Sequence, residues 1–317
     1  VKTSTTTKAL TAAIMLTLLS GSATGVYATS AITVDGTSET ADLSNFSISN
    51  SSYIIQVNRN GQLDATGTNN TNINISGTNE GSTFWTGVKA QTDREHITGP
   101  GGIINLGDSS TKSVNISAKG GNPYAVMAVA GGSQVNITGK DVNITAHGSD
   151  YAYGVWAQSN DTPRANPSSI NINADNTVID VSTDNTVIDY GENQAIGIIS
   201  YSGSTVNITG NLTVNAGTAI STRGNSEVNI NQDGKGTVKL NGDISFNYHA
   251  PTSGTGIDSN VNINLTDADS VLNGNIIKTG NAPSEKATVD KMTLSLSNNA
   301  TWNSTADSFV NNLNLSN

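Results

Sequence analysis

The chain has 317 residues, of which 35% are hydrophobic, 5% aromatic and 13% charged. Its formal net charge of −10 leaves no basic stripe able to hold nucleic acid or an anionic lipid surface. The absence of cysteine excludes disulfides, thiol chemistry and thiolate metal sites. Low charge joined to many β-branched residues and Gly/Asn/Asp/Ser turn clusters predicts an ordered, repetitive all-β fold.

Residues 1–28 read as a secretory signal peptide. Lys2 and Lys8 supply the positive region, Ala9 to Leu19 the apolar stretch, and Val26-Tyr27-Ala28 the small-residue cleavage site. The apolar run is too short to span a bilayer. Cleavage after Ala28 removes two lysines and takes the charge from −10 to −12. Strands are predicted at Ile32–Val34, Phe46–Ile48 and Tyr53–Val57, with turns at Gly61 and Gly67. Gly81 to Gly102 is less regular and reads as a loop or as a coil with an insertion.

The dominant pattern is Val206-Asn207-Ile208-Thr209-Gly210, repeated at Val135–Gly139. Relatives occur at Ile73–Gly77, Val114–Ala118, Val142–Ala146, Ile170–Ala174, Val228–Gln232 and Val261–Leu265. The aliphatic pair faces one side of a strand and the polar pair the other. So short a strand cannot bury its apolar side alone and must stack on its own copies. Tyr124–Gly139 parallels Gln194–Gly210 and, more loosely, Gly217–Gln232; Tyr151–Asn160 begins the same way before an insert bearing Pro163 and Pro167. Irregular spacing between regular strands predicts a right-handed parallel β-helix, or solenoid, over residues 29–290. About a dozen coils at about 4.8 Å each would make a rod of roughly 55–60 Å. Asn at matching positions is expected to form ladders at the corners.

Residues 292–317 carry Ala300-Thr301-Trp302-Asn303, Ala306-Asp307-Ser308 and Val310-Asn311-Asn312-Leu313-Asn314-Leu315. This segment resembles the late passenger region of pertactin-like autotransporters of Gram-negative bacteria, where an Ala-x-Trp strand, an Asp-Ser turn and a Val-x-x-Leu-x-Leu strand lie in the autochaperone. The resemblance covers the whole chain in style and about the last 26 residues in motif. It implies type V secretion: export by the signal peptide, passage through an outer-membrane β-barrel, and folding outside the cell from the C-terminal end. Residues 291–317 would then begin the autochaperone. The translocator barrel and its assembly machinery are the implied partners. The barrel is missing from these residues, which read as a passenger fragment or a truncated product. The expected product is a monomeric, non-enzymatic, adhesin-like rod at the outer membrane, on the cell surface or released, contacting host or bacterial cells.

Candidate chemistry is sparse. Gly107-Asp108-Ser109-Ser110 matches the start of secreted serine hydrolase signatures, but Gly, Asp and Ser are also turn residues. The histidines, His96, His147 and His249, have no partner motif beside them. The hexapeptide Asp-Asn-Thr-Val-Ile-Asp occurs at 175–180 and 184–189, nine residues apart. It lacks the paired glycines of calcium-binding rolls and reads as two strands at a duplicated corner. A carbohydrate-active β-helix enzyme is the alternative function. It would need a carboxylate pair, for which Asp180, Asp189 and Glu192 beside Arg223 are the candidates. Trp85, Trp156 and Trp302 are expected in the core or at caps. The Asn-x-Ser/Thr triplets follow from the repeat itself. No catalytic residue, metal or cofactor site is assigned.

Overall fold

The computed structural model describes residues 30–81, 84–92, 99–159, 166–189, 191–248, 259–280 and 290–316. The signal peptide, the run Asp93 to His96, Pro163 and His249 lie outside them. Among the described residues the only helical element is one 3-10 turn, Thr68–Asn70. The chain winds as a parallel β-helix with three faces, each built by stacking one strand from every coil.

The first face begins with Ile32–Asp35, Tyr53–Asn58, Phe84–Gln91, Asn122–Val129 and Ala152–Gln158. The second begins with Ser38–Thr40, Gln62–Ala65 and Ile103–Leu106, and the third with Phe46–Ser49, Asn72–Thr78 and Ser113–Lys119. Farther along, single continuous strands turn one corner, and in one case two. Thr205–Arg223 contributes to all three faces in succession. On the second face nine parallel pairings link ten rungs, from Ser38–Thr40 to Asn312–Ser316. Nine spacings give a rod of about 43 Å, shorter than the sequence suggests.

Register places like on like. On the first face Ile55, Val88, Val126, Val155, Ile198, Ile220, Ile244 and Ile276 form one column, every member fully buried. On the third, Ile75, Ile116, Ile144, Ile179, Val214, Leu240 and Leu272 do the same. Each buried Val or Ile contributes roughly 1.5–3 kcal/mol, so the columns are the main source of cohesion. The motif segment at the end continues them: Leu294 stacks under Leu313, and Trp302 on Leu272.

Corners absorb differences in coil length. Successive second-face partners lie 41, 31, 35, 36, 22 and 33 residues apart, so insertions enter between strands rather than within them. At one corner Ala174 and Asp175 face the single residue Gly210, a β-bulge. Gly210 has φ +81°, and a Cβ there would collide with the carbonyl oxygen of Ala174. Asn50, Asn60, Asn225 and Asn231 take left-handed conformations at other corners, which Asn tolerates.

Asn ladders do form, in mid-strand along the outward side of the second face and, above Asp141 and Asp180, at strand ends beside the corners on the third. On the second face Asn105 donates to Asp64, Asn136 to Asn105, Asn171 to Asn136, Asn207 to Asn171, Asn229 to Asn207 and Asn262 to Asn229, at 2.6–3.0 Å. On the third face Asn215, Asn241, Asn273 and Asn303 repeat this above Asp180, and Asn176 and Asn211 above Asp141. On the second face the physical reason is periodicity: the aliphatic–Asn–aliphatic pattern that points Ile and Val inward must point the intervening Asn outward in mid-strand.

Of the two readings of Gly81 to Gly102, the coil holds and one further expectation changes. Phe84–Gln91 is a full rung in which Trp85, Val88 and Ala90 are buried. Adjacent Phe84 and Trp85, on opposite sides of the strand, hide its alternation. The second Asp-Asn-Thr-Val-Ile-Asp copy is not a coil strand. It ends in Ile188–Asp189, which pairs antiparallel with Glu192–Asn193 in a small hairpin. In the first copy Thr177 and Ile179 are buried, whereas Ile188 of the second is 62% exposed. Stacking partners, not the hexapeptide, decide its structure.

Candidate ligand groove

The outer side of the first face differs from the other two. In place of Asn it stacks Tyr53, Thr86, Tyr124 and Tyr153 in one row, and Gln56, Lys89, Met127 and Trp156 in the next. The alternation that sends Val126 and Ala128 inward sends Met127 outward, and a break in it at Ala125, buried next to Val126, leaves Tyr124 facing outward as well.

The rings touch from coil to coil. Phe84, 53% exposed, lies 5.6 Å from the ring of Tyr124 and 5.7 Å from that of Tyr151. Tyr124 stacks on Tyr153 at 4.8 Å, and Trp156 meets both edge-on at 4.9 and 5.0 Å. Tyr201 follows at 5.4 Å from Trp156, and the Arg223 guanidinium stands 5.7 Å from the Tyr201 ring. Such ring pairs add about 0.5–1.5 kcal/mol each beyond area burial.

Where this stripe meets the N-terminal coils it borders a groove of about 510 Å³. Tyr53, Phe84, Tyr124 and Met127 form its apolar part; Gln56, Asn58, Gln91, Ser52 and Thr86 supply amides and hydroxyls; Arg59 and Lys89 supply cations. No carboxylate among the described residues lines it. Gln91 donates to the Asn58 side-chain oxygen at 2.9 Å, and Arg59 is held by Asp35 through two bonds of 3.0 and 2.6 Å.

The insertion at 184–194 bounds the site on the C-terminal side. Glu192 lies buried in this insertion and accepts from Ser221 at 2.8 Å and Thr279 at 3.4 Å, and Gln194 accepts from the Tyr153 hydroxyl at 3.1 Å. Beside this cover, Ile196 and Ile199 are fully buried although they stand in the outward rows. Desolvation pushes the Tyr124 phenol up to about 12. Tyr153 and Tyr201 rise for the same reason, the negative charge of Glu192 adding to the effect at Tyr201. All three stay protonated near neutrality, as hydrogen-bond donors rather than nucleophiles.

The residues singled out in the sequence are only partly brought together. Glu192 and Arg223 both act on Tyr201, and Asp189 faces Glu192 across the hairpin. Asp180 stands on the third face, accepting from Asn215 at 2.6 Å. Asp108 is a turn residue. It accepts from the Ser110 hydroxyl and amide at 2.6 and 2.8 Å and from the Gly67 amide at 2.7 Å, and these bonds, led by the Ser110 hydroxyl, lower its pKa. Trp85 is buried and donates to Gly120, and Trp302 packs on the core and donates to Gly274. Trp156 is neither core nor cap, but a member of the exterior stripe.

Register also forms an arrangement that sequence reasoning missed. His147 Nδ1 lies 2.9 Å from Ser182 Oγ and Nε2 3.1 Å from Asp184. It resembles a nucleophile–base–acid relay, but the neighbouring amides of Asp184 and Asn185 are committed to the carbonyls of Gly148 and Ser149. Those two amides are therefore not free to hold an oxyanion. No group of His, Asp and Glu able to hold a metal occurs among the described residues.

The groove was missed because its members come from different coils. One signal was available: Tyr124 and Tyr153 open two parallel repeats at the same position. No protein-family model matches the chain, and neither a curated protein nor a solved structure does.

Proposed function

We propose that the chain is a non-enzymatic passenger of the pertactin-like autotransporter type: an adhesin-like rod displayed on, or released from, the surface of a Gram-negative cell. Its partners would be an outer-membrane translocator barrel with its assembly machinery, and ligands on host or bacterial surfaces. The observation that carries this reading is the parallel β-helix itself, whose last coils contain the Ala-x-Trp and Val-x-x-Leu-x-Leu segment in register with the coils before it. A passenger threaded through a pore must fold without disulfides and from local stacking, and this chain holds itself by coil-on-coil burial and contains no cysteine.

Protease treatment of intact cells expressing the complete gene tests the display. Loss of the chain from whole cells, with a periplasmic marker spared, is the expected result. A chain that is cut only after lysis, and never reaches the medium, refutes the proposal.

A further inference from the structure

We propose that the groove on the first face, with the ring stripe that continues from it, binds an oligosaccharide lying along the axis of the rod. Three observations point to this ligand class. The first is shape. An aromatic side chain stands on each of five successive strands, Tyr53, Phe84, Tyr124, Trp156 and Tyr201, at differing register positions and the strand spacing of about 4.8 Å. That series suits a polymer with a short repeat better than a single compact ligand. The second is chemistry. Ring faces bordered by amides and hydroxyls match a pyranose, whose apolar C–H face packs on an aromatic ring while its hydroxyls point sideways.

The third is hydrogen-bond balance. An amide engaged to one neighbour, as Gln91 is to Asn58, retains a second N–H and its own carbonyl. That donor–acceptor pair fits a hydroxyl, which both gives and takes a hydrogen bond. A proline-rich peptide, the other usual guest of aromatic grooves, offers carbonyls but few N–H groups, and would leave the amide oxygens without a donor. Charge is secondary, because Arg59 is already neutralised by Asp35.

The proposal deepens the adhesive part of the proposed function, yet is tested without cells. The purified chain would be applied to a printed array of pyranose oligosaccharides, with a decaproline peptide as competitor. The strongest glycan would then be titrated by calorimetry. Phe84→Ala and Gln91→Ala are expected to weaken that binding by about tenfold each. Lys140→Ala, at a distant corner, should leave it unchanged. Phe84→Ala gives up two ring pairs and Gln91→Ala one amide bond, so both should melt slightly below the parent, and binding is titrated at a temperature where all the variants are fully folded. No captured glycan, a glycan whose affinity ignores both groove variants, or displacement by decaproline overturns the proposal. Glycan binding by a chain that protease shaving finds inside the cell would sink the display reading and leave the groove intact.

Discussion

Ladder polarity makes the sharpest test of how this rod is held together. Asp64 accepts from Asn105, and every later amide then donates toward the N-terminal coil and accepts from the C-terminal one. Asn171→Asp breaks that order in mid-stack. The introduced carboxylate still accepts from Asn207, but the bond given to Asn136 is lost, at about 1 kcal/mol. A negative oxygen then faces the Asn136 carbonyl across a gap of 2.9 Å, adding repulsion on the order of 1 kcal/mol in this half-exposed setting. The expected cost is about 2 kcal/mol, read as a lower guanidinium midpoint by circular dichroism. Asp64→Asn keeps an oxygen for Asn105, and Gln62, which now donates to Asp64 at 2.8 Å, can turn its amide round. About 0.5 kcal/mol should be lost. The Asn171→Asp penalty should also shrink in acid. The repulsion raises the folded pKa of the introduced carboxyl above its unfolded value, so the lost stability returns as pH falls toward 4 and is absent again above the raised pKa. Equal costs at the two positions, or a penalty indifferent to pH, would refute the argument.

Three other outcomes follow from particular residues. Thr177 is buried in a column between Val142 and Leu212, and its hydroxyl has no partner. Thr177→Val should raise stability by about 1 kcal/mol, and a lower denaturation midpoint would contradict the assignment. Gly210→Ala should cost more than Gly203→Ala, by about 1–3 kcal/mol. Both have φ +81°, but a Cβ at 203 meets nothing within 4 Å, whereas at 210 it meets the Ala174 carbonyl; equal melting temperatures would count against the bulge. Burial raises the Asp290 carboxyl to about 6, although it accepts the Ser259 amide at 2.9 Å. A raised carboxyl stabilises the fold below its unfolded value and loses that contribution as pH climbs through 6. Asp290→Asn should therefore raise the melting temperature at pH 7 but not at pH 4; a gain of the same size at both would show that ionisation is not the cause.

The strands were legible because their information is local. Val-Asn-Ile-Thr alternates within five residues, and each copy found its place in a column. What could not be read depends on register between coils 22 to 41 residues apart. The two Asp-Asn-Thr-Val-Ile-Asp copies make the point, since one is buried in a rung and the other ends in a surface hairpin. The groove was hidden in the same way: Tyr53, Phe84 and Tyr124 lie far apart in sequence and meet only when three coils align. Ladder position was legible in part. Asn suggests corners because it tolerates left-handed turns, and the third-face ladders above Asp141 and Asp180 do lie beside them, but on the second face the alternation itself points Asn outward in mid-strand.

The side-chain ladders also bear on how a rod of this kind can end. A mid-stack Asn offers an N–H to one neighbour and an oxygen to the other, so a partly built stack always presents something for the next coil to bind. Aspartate breaks that rule, because a carboxylate only accepts. Asp64, Asp141 and Asp180 each occupy the N-terminal end of a ladder, above Thr40, Ser113 and Thr145 respectively. If coils are added toward the N-terminus, as the proposed secretion route requires, each new Asn brings its oxygen to a waiting N–H, and an Asp closes the series. The charge then sits where the aligned amide dipoles point their positive ends, the side-chain counterpart of an acidic residue at a helix N-terminus. In these three ladders Asp thus selects both the direction in which the ladder is read and the coil at which it stops, whereas the ladder of Asn143, Asn115 and Asn74 ends with Asn74 donating to the Ser44 carbonyl.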